Sequence, residues 1–326
     1  MDRRTLLTFA GGMLSVPHLL FAQPAQRVYR IAIFDEASKA ARPYDWAVFQ
    51  DRLRELGLVE GKTVLYERRF GRGQNELLPG LAAELVATKP DIIVSAGTPT
   101  TRAAIRVTQN IPIIFTASGD PVGTGLVTSL SRPGGNVTGF SVTAPETTQK
   151  LLELMRELSP GIQRIAFIND ASNPGTFVIY TRLEETARKL KLGVQMLDGV
   201  GQAALERSFA AIKKDRIQGV IVGNSGALLD YRDQILQFAT RERLLVGSGR
   251  REYFEAGGLL FYGIDRRPLF RAAADLTHRI LKGAKPAEIP VEQIAIIRMM
   301  LNLKTARALG IKIPQPVRLR ADEVIE

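Results

Sequence analysis

The sequence contains no cysteine. That excludes a disulfide framework, a thiol nucleophile, a thiolate zinc site and a lipid-modified cysteine. It leaves an oxidising compartment open, because a chain of this length can build its core without covalent staples. Histidine is nearly absent too. Of the two present, His18 lies near the N-terminus and His278 stands alone in ADLTHRILKG, with no second ligand-type residue at metal spacing. This argues against a Ser-His-Asp triad, and no HExxH or zinc-site pattern occurs. A GxSxG elbow is also missing, since GNSGA (223–227) has the wrong spacing. The single tryptophan, Trp46, sits at helical spacing from Phe49 and Leu53 and reads as core or pocket edge. Short-period repeats are absent. Beyond the N-terminus, no apolar run reaches membrane-spanning length.

What is present starts at the N-terminus. The segment MDRRTLLTFAGGMLSVPHLLFAQPAQ joins paired arginines, Arg3 and Arg4, to an apolar run and then to small and polar residues. This is the layout of a secretory signal over residues 1–22, with cleavage expected near Ala22 and export to the periplasm. The arginine pair followed by TLL resembles a twin-arginine signal. A buried first helix and a retained anchor are the alternatives. Removing the segment takes away two arginines and one aspartate, so the net charge of +11 becomes +10. Such a charge raises the question of nucleic acid. The basic residues are scattered, however, and faces such as TRLEETARKLKLG mix both signs. We read the charge as a solvated surface, with no nucleic-acid partner.

The rest alternates strand-like and helical runs. RVYRIAIF (27–34), KTVLYERRF, DIIVSAG, IPIIFTAS and VTGFSV read as strands, separated by amphipathic segments. Near residues 140–145 the pattern restarts with TTQKLLELMREL, QRIAFIND, VQMLDG, QGVIVGN, LLVGSG and LLFYGI. This predicts an α/β fold of two units, each a mostly parallel sheet covered by helices. A second boundary is expected near Tyr262–Asp265.

The stretch ASGDPVGTG (117–125) looks at first like a phosphate cradle. The lysine and hydroxyl of a Walker loop do not follow it, and its glycines have the wrong register for a dinucleotide fingerprint. No cofactor is expected. Pro121 is expected to start a helix through GTGLVTSL. What the polar clusters share is position, at the carboxyl ends of strands where parallel sheets bind ligands. Ser38, Ser118, Asn169 and Asn224 are pocket candidates. Thr98 and Thr100 could meet a ligand carboxylate at a helix start, or could simply cap the helix. Asp120, Asp170 and Asp265 could face an ammonium group or serve as turn and cap residues; Pro121 and Pro174 favour the second role. Tyr253, Phe254 and Tyr262 could stack on a ligand or fill the core.

Five blocks together resemble one family: LRELGLVEGKTVLYERRF, LPGLAAELVATKPDIIVSAGTPTTRAA, IPIIFTASGDPVGTGLVTSLSRPGGNVTG, EAGGLLFYGIDRRPLFRAAADLTHRILKGAKPAEIPVEQ, and NLKTARALGIKIP followed by LRADEVIE. They are similar to the extracytoplasmic substrate-binding proteins of ABC transporters, which include tryptophan- and tyrosine-binding members. The resemblance covers residues 27–326. It implies a type I periplasmic-binding fold with three crossing segments. Lobe 1 would hold residues 27–142 and 264–290, and lobe 2 residues 143–263 and 291–326. It also implies capture of a small polar solute, possibly an amino acid, in an inter-lobe cleft, with delivery to an ABC permease by a monomer and no catalysis. In amino-acid-binding relatives, hydroxyls hold the carboxylate, an acidic residue holds the ammonium and aromatics clasp the side chain. Thr98 and Thr100 match the first role, Asp120, Asp170 and Asp265 the second. A ligand sensor serving a membrane signalling protein is the alternative, and a doubly wound enzyme a more distant one.

Overall fold

The computed structural model describes residues 27–142, 144–173, 175–293 and 296–326. The expected export signal and Pro174 lie outside the described residues.

The first sheet is built from β1 (Tyr29–Asp35), β2 (Val64–Phe70), β3 (Ile92–Ala96), β4 (Ile113–Ser118), β5 (Val137–Ser141) and the short β11 (Glu292–Gln293), in the order β11-β5-β4-β3-β1-β2. The second holds β6 (Arg164–Asn169), β7 (Gly193–Asp198), β8 (Gly219–Val222), β9 (Leu245–Ser248), β10 (Leu260–Ile264), β12 (Ile297–Asn302) and β13 (Glu323–Ile325), in the order β13-β12-β10-β9-β8-β6-β7. Every pairing is parallel except β10 with β12. Strands covered on both faces should read as near-continuous apolar runs, and β3 and β4 are buried along their whole length.

The helices are α1 (Pro43–Glu55), α2 (Leu78–Ala87), α3 (Thr98–Val107), α4 (Ala144–Leu158), α5 (Gly175–Lys189), α6 (Gln202–Lys214), α7 (Arg232–Arg241), α8 (Arg251–Glu255), α9 (Arg267–Leu281), α10 (Leu303–Leu309) and α11 (Gln315–Leu319). The strand period of two sorts the core onto opposite sheet faces. From β1, Ile31 and Ile33 pack with Trp46 and Phe49 of α1 and Phe270 of α9. Ala32 and Phe34 turn the other way, onto Leu78 and Leu85 of α2 and Ala104 of α3. The second sheet repeats this: Ile165 and Phe167 meet α4, while Ala166 and Ile168 join the cluster that holds α6 and α7.

The chain passes between the sheets three times: from β5 to α4, from β10 to α9, and from β11 to β12. The expected third crossing near 290 falls a few residues later, because Glu292 and Gln293 pair with Phe140 and Ser141 of the first sheet. The helix expected through GTGLVTSL is absent: residues 121–125 form a turn. Gly125 adopts φ +71°, which breaks a right-handed helix. Among the described residues, no helix is long and apolar enough to cross a membrane.

Candidate functional site

The loops at the carboxyl ends of β1, β3, β4, β6, β8 and β10 converge on a cavity of about 390 Å³ with walls from both lobes. Thr98, Asp120, Asn169 and Asn224, all named from the sequence, line it. Ser118 stands behind Thr98, with the two hydroxyl oxygens 3.3 Å apart. The apolar part of the wall includes Pro99, Ala117, Val142, Val178 and Ile179, and among the described residues none that lines it is aromatic.

The other candidates sit elsewhere. The Thr100 hydroxyl is fully buried and lies 3.0 Å from the Ala96 carbonyl and 2.9 Å from that of Gly97, so it donates back to the backbone that leads into its own helix. The Tyr253 hydroxyl donates to the Leu228 carbonyl at 2.8 Å, and its ring belongs to the second lobe's core. Tyr262 packs against the opposite face of that sheet. Asp265 accepts from the Arg267 N–H at 3.2 Å, a turn role away from the cavity. Asp170 accepts from the Ser172 N–H at 2.9 Å and from the Asn75 amide at 2.9 Å, the latter across the lobes. Ser38 also joins the lobes, its N–H donating to Asp230 at 2.8 Å. Ala37 and Ala41, just after β1, are buried in the second lobe's core.

Among the cavity residues that went unselected in the sequence are Glu36 and Arg266. Glu36 belongs to the DEAS cluster, where the hydroxyl of Ser38 drew attention instead. It is 4% exposed; its Oε1 accepts the Gly226 N–H at 2.7 Å across the lobes, and its Oε2 has no hydrogen-bond partner. The sequence makes room for this carboxylate at Gly97, where a Cβ would lie 2.6 Å from Oε1 and where φ is +107°. Burial, aided by Asp35 and Asp170 and opposed by Arg42 and the Gly226 N–H, pushes Glu36 up to about 7. Arg266, between β10 and α9, also lines the cavity. Burial and the nearby Arg250 and Arg42 hold its guanidinium down at about 9.

Behind the cavity, at the crossing between β10 and α9, lies a second buried charged group around a space of about 20 Å³. Arg42 lies 3.6 Å from Asp35 and 4.0 Å from Asp45. Asp35 also accepts from the Trp46 indole at 2.7 Å and from the Ala37 N–H at 3.0 Å. Arg250, 1% exposed, donates to Glu252 at 2.7 Å. Burial and Glu252 push Asp45 up to about 6 against the pull of Arg42, Arg250 and Arg266. Left without hydrogen-bond partners are Arg42 Nε, Asp45 Oδ2 and the Nε and Nη1 of Arg250. Among the described residues, no group of three or more His, Cys, Asp or Glu could hold a metal ion.

This geometry agrees with the similarities of the chain. A sequence profile described as ABC transporter substrate binding protein matches residues 30–325. A tyrosine-binding protein of Clostridioides difficile is 27% identical over 278 residues, 85% of this chain and 78% of the relative. A conserved domain protein from Vibrio cholerae superposes with a TM-score of 0.83 at 25% identity, covering 91% of this chain and 100% of that one. An ABC domain in complex with L-Trp from Streptococcus pneumonia gives 0.82 at 26% identity, with the same coverage of 91% and 100%.

Proposed function

The chain belongs to the ABC transporter substrate binding protein family, and on that premise we propose that it captures a small polar solute, an amino acid, between its lobes and delivers it to an ABC permease. Residues 1–22 would export it to the periplasm, where it would act as a monomer. The observation that carries this reading is the cavity itself. It has walls from both lobes, a size suited to a metabolite, and polar groups set among apolar ones. Closure of two lobes around a solute shifts an open–closed equilibrium by the solute's preference for the closed form. A permease can then read the closed form. The contacts Glu36–Gly226, Ser38–Asp230 and Asn75–Asp170 are those such closure makes.

The test is a thermal-shift screen of the purified protein against amino acids, purines, sugars and organic acids. A bound solute at about 100 times its Kd stabilises the fold by about 2.7 kcal/mol, well within reach of the measurement. A raised Tm confined to one chemical class is expected. Silence across all four classes would overturn the reading.

A further inference from the structure

We propose that the far end of the second lobe docks on an anionic phospholipid surface. That face is remote from the cavity, so the inference stands whichever solute the cavity takes. In a parallel sheet covered by helices, strand starts and helix ends share one side, opposite the strand ends where ligands bind. Four connections of the second lobe lie on that side: MRELSPGIQR (155–164), ARKLKLG (187–193), IKKDRIQG (212–219) and TRERLL (240–245). They are spread along the chain, but strand pairing gathers them: Arg164 pairs with Gly193, Ile165 with Gly219, and Gly219 with Leu245. Together they hold ten basic residues and three acidic ones. The loops at the cavity end of the same lobe, 169–173, 198–202, 223–233 and 249–252, hold three basic and five acidic. The lobe is therefore polarised from end to end.

Two of the three acids at the far end are already claimed. Glu242 lies 2.8 Å from Lys213 and 4.0 Å from Arg241, and Glu157 pairs with Arg320. The third, Asp215, is half-buried. Among the described residues, Arg188, Lys189, Lys191, Lys214, Arg216 and Arg243 are exposed and have no acidic partner. A recess of about 420 Å³ opens beside them, walled by Arg156, Arg164 and Lys191 and, among the described residues, by no acid.

Three of these cations stand where backbone geometry favours glycine. Helices α5, α6 and α7 end alike, on Lys191, Arg216 and Arg243 with φ of +56°, +50° and +54°. In each, the next N–H reaches back five residues: Leu192 to Ala187 at 2.8 Å, Ile217 to Ile212 at 3.0 Å, and Leu244 to Ala239 at 2.8 Å. Glycine is preferred in this closure, because a side chain there crowds the backbone. Helices α1, α9 and α10 use it, as Gly57, Gly283 and Gly310. In the first lobe, α2 carries a cation at that position once, with Lys89. A cation gains from the helix dipole. A residue of the last turn supplies that gain without strain, however, as Arg188, Lys213 and Arg241 already do.

Charge spread over four loops, rather than focused on one point, matches a plane of headgroup phosphates. None of the four segments holds an aromatic residue, so nothing there stacks on a nucleic-acid base. The far end lies about 20 Å from the cavity end, the length of the six-residue β6. Confined to one lobe, it is the same surface before and after closure. A permease that reads the closed form needs both lobes, whereas a bilayer needs only this face. The sequence has no cysteine to carry a lipid chain, and charge supplies a reversible hold in its place.

The test is co-sedimentation of the purified full chain with phosphatidylcholine vesicles, with and without about 30% phosphatidylglycerol, at low salt. The parent should prefer the anionic vesicles and leave them as salt is added. The triple variant Lys191→Gly, Arg216→Gly, Arg243→Gly should lose about 100-fold in affinity for them, about fivefold per charge, while its Tm holds or rises. Lys189→Gln with Lys214→Gln, which leaves the turns intact, should cost about 25-fold. Lys62→Gln with Lys282→Gln removes the same charge from exposed sites of the first lobe and should cost less than about threefold. The N-terminal residues are the same in every variant, so the differences read this face alone. Equal losses from the two glutamine pairs would make adhesion a matter of net charge and overturn the proposal. So would a parent indifferent to phosphatidylglycerol, or one that binds immobilised polyglutamate but not the vesicles, which would point to an acidic protein partner. A triple variant with lowered Tm and undiminished binding would make the three cations structural and overturn it as well. If the triple variant fails to fold, the two glutamine pairs decide alone.

Discussion

Two buried polar regions lie side by side, and they differ in what they leave unpaired. At the hinge, the unpartnered atoms are of both kinds: guanidinium donors on Arg42 and Arg250, and an acceptor on Asp45. The adjoining space of about 20 Å³ admits one water, which can bridge such a mixed set. In the cavity of about 390 Å³, the unpartnered atoms are the acceptors of Glu36, Asn169 and Asn224 and the hydroxyl of Ser225. Water can satisfy either region, but only the second is large enough to admit a solute. On the proposed reading, buried charge at the hinge is structural and buried charge in the cavity serves recognition. Arg266 lines both spaces and, among the described residues, is the one that belongs to each.

The comparison can be broken most forcefully at the hinge. Arg250→Met strands the Glu252 carboxylate and should cost about 3–5 kcal/mol, seen as a lower urea midpoint. Adding Glu252→Met should recover much of that loss and leave solute affinity intact. A double variant that folds but no longer binds would show that the hinge takes part in recognition.

A smaller effect separates the two regions by pH. Burial holds the Glu36 carboxyl up at about 7, facing Arg42, Asp35, Asp170 and the Gly226 N–H. With an amino acid as the proposed solute, only its ionised form can hold the ammonium group. Between pH 6 and 8, the ionised fraction climbs from about one in eleven to about ten in eleven, so affinity for an amine should rise about tenfold. Binding near neutrality should release a proton, measurable as a buffer-dependent enthalpy. Glu36→Gln should flatten the slope, whereas Asp45→Asn, at the hinge, should leave it in place. The mildest change is Tyr253→Phe. It leaves the Leu228 carbonyl without its donor and should cost about 1 kcal/mol of stability. Calorimetric affinity should not move, since that ring never reaches the cavity.

The two-lobed α/β architecture was legible because parallel strands buried on both faces advertise themselves as apolar runs. Position at strand ends also pointed to Thr98, Asp120, Asn169 and Asn224, which line the cavity, since a strand's carboxyl end is a local property of the sequence. Glu36 was not legible. Its significance depends on Gly226, 190 residues away, and on which of its two oxygens that N–H takes. Tyr253 misled for the opposite reason: an aromatic beside a glycine-rich loop looks accessible until the Leu228 carbonyl claims its hydroxyl. The expected helix after Pro121 failed at Gly125. Proline can start a helix, but a residue at positive φ ends it.

The three crossings carry a consequence for how such a molecule can be inherited. Phe270 of α9 forms an edge-to-face pair with Trp46 of α1, with centroids 5.0 Å apart, so the first lobe's core needs a segment encoded after most of the second. The second lobe in turn takes β12, β13, α10 and α11 from the far end of the chain. No single cut in the gene yields either lobe whole. A single recombination event cannot shuffle one lobe without the other, so exchanging either wall of the cavity takes more than one crossover.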